Sequence, residues 1–286
     1  MPILLDLVAE ELSLPVEPRV TAMAAAIAAE HGDASRAVLF YGSCLRQQQL
    51  DGLMLDFYLI VSDYSKAYRK RWLAAANRLI PPNVFYFEHH GLVCKYAVLS
   101  EADFHRLNGP EASNVSVWAR FAQPSRLVWA ADTQARESAI AAVSRATPTL
   151  LASAGSQEGE DALDVWRRAF ALTYSAELRA ERKSRAGSVV DLEPQRYARF
   201  TEPALKAAAA LRPHGSWAWR RFEGKTLSVL RLAKASMTFA GGADYIAWKI
   251  NRHAGTDIQL KPWQRRHPLL AGLSLLPRLL KSGAVR

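Results

Sequence analysis

Two apolar runs separated by a short polar loop stand out in the first quarter of the chain: AVLFYG (37–42) and LDFYLIVS (55–62). Both are short and rich in aromatic and β-branched residues, which predicts buried strands. Upstream, EPRVTAMAAAIAAEHG (17–32) has a proline near its start, an alanine-rich body and a glycine stop, the pattern of a helix. YSKAYRKRWLAAANRLI (64–80) repeats apolar positions at helical spacing and ends at Pro81-Pro82. VFYFEHHGLVCKYAVLS (84–100) predicts two strands turning around His90-Gly91. EADFHRL (101–107) predicts a helix with Ser100 as N-cap and Asp103 at its third position. PSRLVWAAD (124–132) supplies a further strand.

From about residue 133 the pattern changes. ARESAIAAVSRATPTLL and GEDALDVWRRAFALTYSAELRAERK have amphipathic helical periodicity, with the polar loop SAGSQEGED (153–161) between them. Further helices are expected at 203–211 and 226–240. There is no internal repeat. The expected fold class is α/β (α+β): a mixed-sheet domain over 1–132, then a helical domain over 133–250, then a basic tail over 251–286.

Composition narrows the class. Of the 286 residues, 50% are apolar and 22% charged, as in a folded globular protein. No uncharged apolar run reaches the roughly 18–20 residues of a spanning helix. MPILLDLVAEELSL has early acids and no basic leader, so no signal peptide is expected. Two cysteines, Cys44 and Cys94, lack zinc spacing and fit a reducing compartment. The expected location is cytoplasmic, peripheral on the inner face of the membrane. The net charge of +10 is uneven, because residues 245–286 carry eight Lys or Arg against Asp257 alone. That bias points to a polyanionic partner, a nucleic acid or an anionic lipid surface.

Asp56 is the residue that needs an explanation, a carboxylate between Leu55 and Phe57 in an apolar strand. A strand, a Gly-Ser turn at Gly42-Ser43 and a second strand with an inward acid are similar to the skeleton of the nucleotidyltransferase superfamily site. A glycine admits close approach of a triphosphate to the backbone, and the following N–H and hydroxyl can bind phosphate oxygens. An acid on the neighbouring strand can hold Mg²⁺ against those phosphates. Most of that superfamily carries two acids one residue apart, whereas Met54 and Tyr58 flank Asp56 at that spacing. A second ligand must come from Asp63, from Glu88 or, behind them, from Asp51. The His89-His90 pair is set aside, since strand neighbours face opposite sides. FEGKT (222–226) lacks the spacing of a phosphate loop, while RRFEGK (220–225) and KPWQRRH (261–267) interleave basic and aromatic residues as RNA contacts do.

Tyr41-Gly42-Ser43 and Met54-Leu55-Asp56-Phe57 together resemble the mitochondrial-type phosphatidate cytidylyltransferase, the peripheral CDP-diacylglycerol synthase of the translocator assembly and maintenance family. That family likewise lacks the second acid two residues away. The likeness continues through VCKYAVLS (93–100), the Trp118-to-Val128 segment, ALTYSAELR (171–179) and LAKASMTFAGGADYIAWKI (232–250). Two departures stand out: Cys44 replaces a common glycine, and 251–286 has no clear counterpart. The resemblance implies CTP and phosphatidate, or a related lipid phosphate, as substrates, Mg²⁺ as cofactor, and a helical half that completes the active site. It places Tyr41, Gly42, Ser43, Tyr174, Ser175 and Lys183 at the nucleotide, Asp56, Lys95 and Arg179 in catalysis, and Asp56 at the metal, with Asp63 or Glu88 kept as the second ligand from the reading of the residues alone.

The tail then gains a role. Leu269, Leu270, Leu273, Leu276, Leu279 and Leu280 form a helical apolar face near Arg278 and Lys281, with Trp248 and Trp263 as aromatic anchors, suited to an anionic membrane. Nucleic acid is the less favoured partner. The competing readings are a nucleotidyltransferase acting on RNA or a small molecule, and a non-catalytic lipid- or nucleotide-binding module.

Overall fold

The strand that carries Asp56 is the middle strand of a five-stranded sheet. The computed structural model describes residues 2–47, 50–155, 157, 159–177, 189–238, 259, 261 and 262. Its strands are β1 (Ser35–Tyr41), β2 (Met54–Val61), β3 (Asn83–His89), β4 (Leu92–Ser100) and β5 (Ser125–Ala130), in the order β3-β4-β2-β1-β5. β1 lies antiparallel between β2 and β5, β2 and β4 are parallel, and β3–β4 is the expected hairpin. Its turn uses His90 and Gly91, both at positive φ (48° and 74°), a combination that suits the twist of antiparallel strands. The sheet is therefore mixed, and β2, covered on both faces, reads as a nearly unbroken apolar run.

The helices are α1 (Pro2–Ser13), α2 (Pro18–His31), α3 (Ser43–Gln47), α4 (Tyr64–Ala67), α5 (Arg71–Leu79), α6 (Glu101–Asn108), α7 (Trp118–Phe121), α8 (Thr133–Ser144), α9 (Ala146–Ala154), α10 (Ala162–Ala176), α11 (Pro194–Ala208) and α12 (Trp217–Thr238). Among the described residues beyond 132 there is no strand. One sheet face, with Ala37, Leu39, Tyr58, Ile60, Ala97 and Leu99, shares a core with α1 and α6–α11. The other, with Val38, Phe40, Leu55, Phe57, Leu59 and Val98, packs on α2, α4 and α5. Trp118, Trp166, Phe104 and Phe121 are fully buried in the first core. Side chains of this size contribute about 1.5–3 kcal/mol each on burial.

Several boundaries differ from expectation. α1 was not anticipated: its Leu4, Val8 and Leu12 recur at i, i+4 and i+8 and enter the core. Partly buried Arg196 of α11 pairs through two nitrogens with buried Glu11 of α1 and donates to Ala122 O at 3.1 Å, which locks the first helix to the helical half. The helix expected over 64–80 is split, because Tyr68 is extended (φ −123°, ψ 127°) and its buried ring packs against His31 and Phe85. The helices expected at 203–211 and 226–240 begin earlier, at Pro194 and Trp217.

His31 closes α2 and ties the second core together. Nδ1 lies 3.0 Å from Ala67 O and Nε2 3.2 Å from the Tyr96 hydroxyl. A carbonyl only accepts, so Nδ1 carries the proton and Nε2 accepts from Tyr96. Burial lowers the His31 pKa from its ordinary 6.5.

Candidate functional site

Strand register builds the site. Tyr41 pairs with Asp56, Asp56 with Lys95, and Lys95 with Tyr86, so four strands present one row of side chains on one face. At the end of β1 the chain turns at Gly42, with φ 96°, and enters α3 at Ser43. The turn brings Gly42 against the Asp56 carboxylate: a Cβ on residue 42 would sit 2.8 Å from Asp56 Oδ2. Glycine is required here twice over, by backbone conformation and by space.

The other carboxylate oxygen, Asp56 Oδ1, is buried and lies 3.0 Å from Lys95 Nζ. This contact is an ion pair, with the ammonium facing the buried oxygen. The cation facing this oxygen is the Lys95 ammonium, so any metal held by Asp56 would share the carboxylate with Lys95 or displace it. Behind the turn, Cys44 is buried in the second core with Sγ 3.5 Å from Met54 O, so its side chain serves packing. Burial, reinforced by Asp56, raises the thiol pKa of both Cys44 and Cys94.

A second charged layer stands beside this row. Arg120 of α7 lies 3.3 Å from Glu177, which directly follows α10 and whose side chain is 7% exposed. Arg120 also donates to Ser116 O. Burial opposes the Arg120 charge, but Glu177, Tyr58 and Tyr41 more than offset it and raise its pKa. Burial pushes the Tyr41 phenol well above its ordinary value, Asp56 adds to this, and Arg120 partly offsets it. Arg231 of α12 donates from Nε to Pro81 O at 2.7 Å, while its Nη2 is buried without a hydrogen-bond partner. Burial lowers its pKa against the pull of Tyr58 and Glu177. Lys234, one turn on, donates to Ile80 O, and burial brings its pKa down to about 7.

The expected residues divide clearly. Tyr41, Gly42, Ser43, Asp56 and Lys95 come together. Asp63 does not: it follows the far end of β2, roughly 20 Å from Asp56 at ~3.3 Å per residue. There it caps α4, accepting from Ser65 N at 2.6 Å, with Arg78 at 3.3 Å. Glu88 is exposed on the same sheet face, two strands away and one row outward, roughly 12 Å from Asp56 between Cα atoms by strand spacing. It accepts from the Tyr86 hydroxyl at 3.2 Å, so it borders the row without joining Asp56. Asp51 pairs with Arg19 at 2.8 Å in an exposed loop. Tyr174 and Ser175 form the last turn of α10, where Ser175 Oγ donates back to Leu172 O. Arg179, Lys183 and the leucine-rich tail with Trp248 and Trp263 lie outside the described residues, apart from isolated positions near 260.

Glu177, Arg120, Tyr58 and Arg231 were not singled out by sequence. A signal existed for Glu177 in the acid of YSAE (174–177), but its partner stands 57 positions away. FEGK also finds its explanation: a Cβ on Gly224 of α12 would collide with Ala176 O at the end of α10, so this glycine serves helix packing.

Among the described residues no group of three or more His, Cys, Asp or Glu side chains is arranged to hold a metal. No helix among them is long and apolar enough to cross a membrane. Neither the family models nor the curated proteins give a match to this chain.

Proposed function

We propose that this chain is a magnesium-dependent cytidylyltransferase that transfers the cytidylyl group of CTP to phosphatidate at a membrane surface, giving CDP-diacylglycerol and pyrophosphate. The observation that carries this reading is the contact of Gly42 with Asp56 beside Lys95. A glycine turn packed against a carboxylate, and a lysine within ion-pair distance of that carboxylate, stand together at one end of the strands. The order of the quoted motifs along the chain supports the same family and a nucleotidyltransferase-like sheet.

In this reading Gly42 and Ser43 hold the triphosphate, with Tyr41 behind them, and Lys95 and Arg179 contact phosphate. Tyr174, Ser175 and Lys183 line the nucleotide side. Asp56 fits magnesium as a lone protein carboxylate, because that ion commonly takes one or two carboxylates and completes its shell with phosphate oxygens and water. Magnesium when bound would neutralise triphosphate charge and polarise the α-phosphate. Arg120, held in its charged form by Glu177, adds positive potential beside Tyr41 and Tyr58. The acceptor is itself a phosphate, already ionised near neutral pH. Its oxygen attacks the α-phosphorus, the bond to the β-phosphate bridging oxygen breaks, and pyrophosphate leaves. Repulsion between the two anions is the main obstacle, so cations are needed here more than a general base.

One observation favours a second reading, a nucleotide- or lipid-binding module without turnover: the metal would have a single carboxylate, already paired with Lys95. Acceptor competition separates the possibilities. Pyrophosphate release from Mg-CTP is measured with phosphatidate vesicles, with RNA and with small hydroxyl or phosphate compounds. Release with phosphatidate alone supports the proposal, release with another acceptor redirects it, and Mg-CTP binding without release in any mixture favours the module.

A further inference from the structure

α12 has two contrasting faces. Its inner face holds buried Arg220, which donates to Ser113 O and His214 O at 2.7 Å each, then Gly224 against α10, and Arg231 and Lys234 against the Ile80-Pro81 backbone. Its outer face carries Trp219, Phe222, Val229, Leu230 and Leu232, each between 42% and 64% exposed. At 100° per residue Phe222 and Val229 lie directly opposite the buried stripe, with Trp219 and Leu230 on one flank. Trp219 and Phe222 pack ring against ring at 5.7 Å. On the other flank stand the exposed cations Arg221 and Lys225. The one acid of the helix, Glu223, faces inward, with Oε2 buried.

We infer that this outer face docks on an anionic lipid bilayer. The inference deepens the proposed lipid reaction and rests on it for its purpose, since it supplies the surface where the acceptor is met. Large apolar side chains at this exposure, aromatic ones at one end and cations along one edge, match an interfacial helix lying in the headgroup region. The absence of an outward acid on the helix makes the face complementary to anionic headgroups. A second copy packed on this face would offer Arg221 and Lys225 no outward acid of the same helix to pair with. RNA could stack on Trp219 and Phe222, but Val229, Leu230 and Leu232 offer nothing to bases or phosphates. The same helix carries Arg231 and its Pro81 contact on the inner face, so docking would leave one helix diameter, about 10 Å, between the bilayer and the charged layer around Tyr58.

The experiment uses the full chain in vesicle co-sedimentation with phosphatidylcholine alone and with added phosphatidylglycerol. Three forms are compared: wild type, Phe222→Ser/Val229→Ser, and Arg221→Glu/Lys225→Glu. All four positions are exposed, and unchanged thermal midpoints show that the variants fold. The expected result is wild-type binding that favours anionic vesicles, weakened roughly tenfold or more in each variant. Variants that fold and bind anionic vesicles as well as wild type would overturn the inference. So would equal binding of wild type to neutral and anionic vesicles, or binding of single-stranded RNA, in place of vesicles, that the Phe222 and Val229 changes abolish. Transfer from labelled CTP is read in the same samples. Vesicle binding through this face without transfer leaves the surface standing and removes the proposed reaction. Undiminished transfer and binding in both variants leaves the reaction and removes the surface.

Discussion

Gly42 and Asp56 occupy adjoining space: a single added carbon on residue 42 would meet Asp56 Oδ2 at 2.8 Å. The turn and the carboxylate are therefore one unit. Gly42→Ala should cost stability through its φ of 96°, by about 1–2 kcal/mol, and displace the carboxylate as well. Mg-CTP affinity, read by calorimetry, should fall at least roughly tenfold while the far-ultraviolet spectrum is preserved. Wild-type affinity in the variant would show that the close approach has no part in the site.

Lys95 pairs with Asp56 at 3.0 Å, and in the proposed function it would compete with magnesium for the same oxygen. Lys95→Met should therefore have two opposite effects. Divalent-ion affinity in the absence of nucleotide should rise, because the competing charge is gone, while transfer from CTP should drop by about 100-fold or more. A fall in both quantities would mean that Lys95 supports the metal rather than competing with it.

Arg120 and Glu177 join α7 to the end of α10 across the charged layer. Glu177→Gln would leave a half-buried guanidinium without its carboxylate and should destabilise the fold by about 1–2 kcal/mol in urea unfolding. The double change Arg120→Met/Glu177→Leu should recover much of that stability but not the transfer activity. Failure of the double variant to recover any stability would show that the pair is not coupled as its geometry suggests.

His31 makes stability sensitive to mild acid. Burial holds its folded-state pKa below 6.5, so between the two values the unfolded chain binds the extra proton. Stability is fully present above about pH 6.5 and declines as pH falls toward the folded-state pKa. Urea midpoints at pH 7.5 and 5.5 should differ more in wild type than in His31→Gln. An equal pH response in the two proteins would remove His31 as the cause.

Much of the sheet was legible because its strands are short apolar runs bounded by Gly, Pro and polar residues. Ser100 capping α6 was legible too, since it accepts from Asp103 N as the motif implies. Register was not. Lys95 was marked by resemblance, yet only the parallel pairing of β2 with β4 puts it beside Asp56. Asp63 shows the converse error. An acid directly before Tyr64-Ser65 carries an N-cap signal, and its carboxylate bonds Ser65 at the opposite end of the strand from Asp56. Tyr68 breaks a helix that periodicity alone would continue, because its ring fills a pocket formed by distant His31 and Phe85. Arg120, Glu177 and Arg231 converge from three separate helical segments, and short-range pattern carries no trace of such a meeting.

The most direct measurement incubates the protein with Mg²⁺, CTP labelled at the α-phosphate and vesicles containing phosphatidate, beside an Asp56→Ala control. Label entering the lipid phase with wild type and not with the control is the expected result. Wild-type protein that binds Mg-CTP and vesicles yet moves no label into lipid would contradict the proposed reaction.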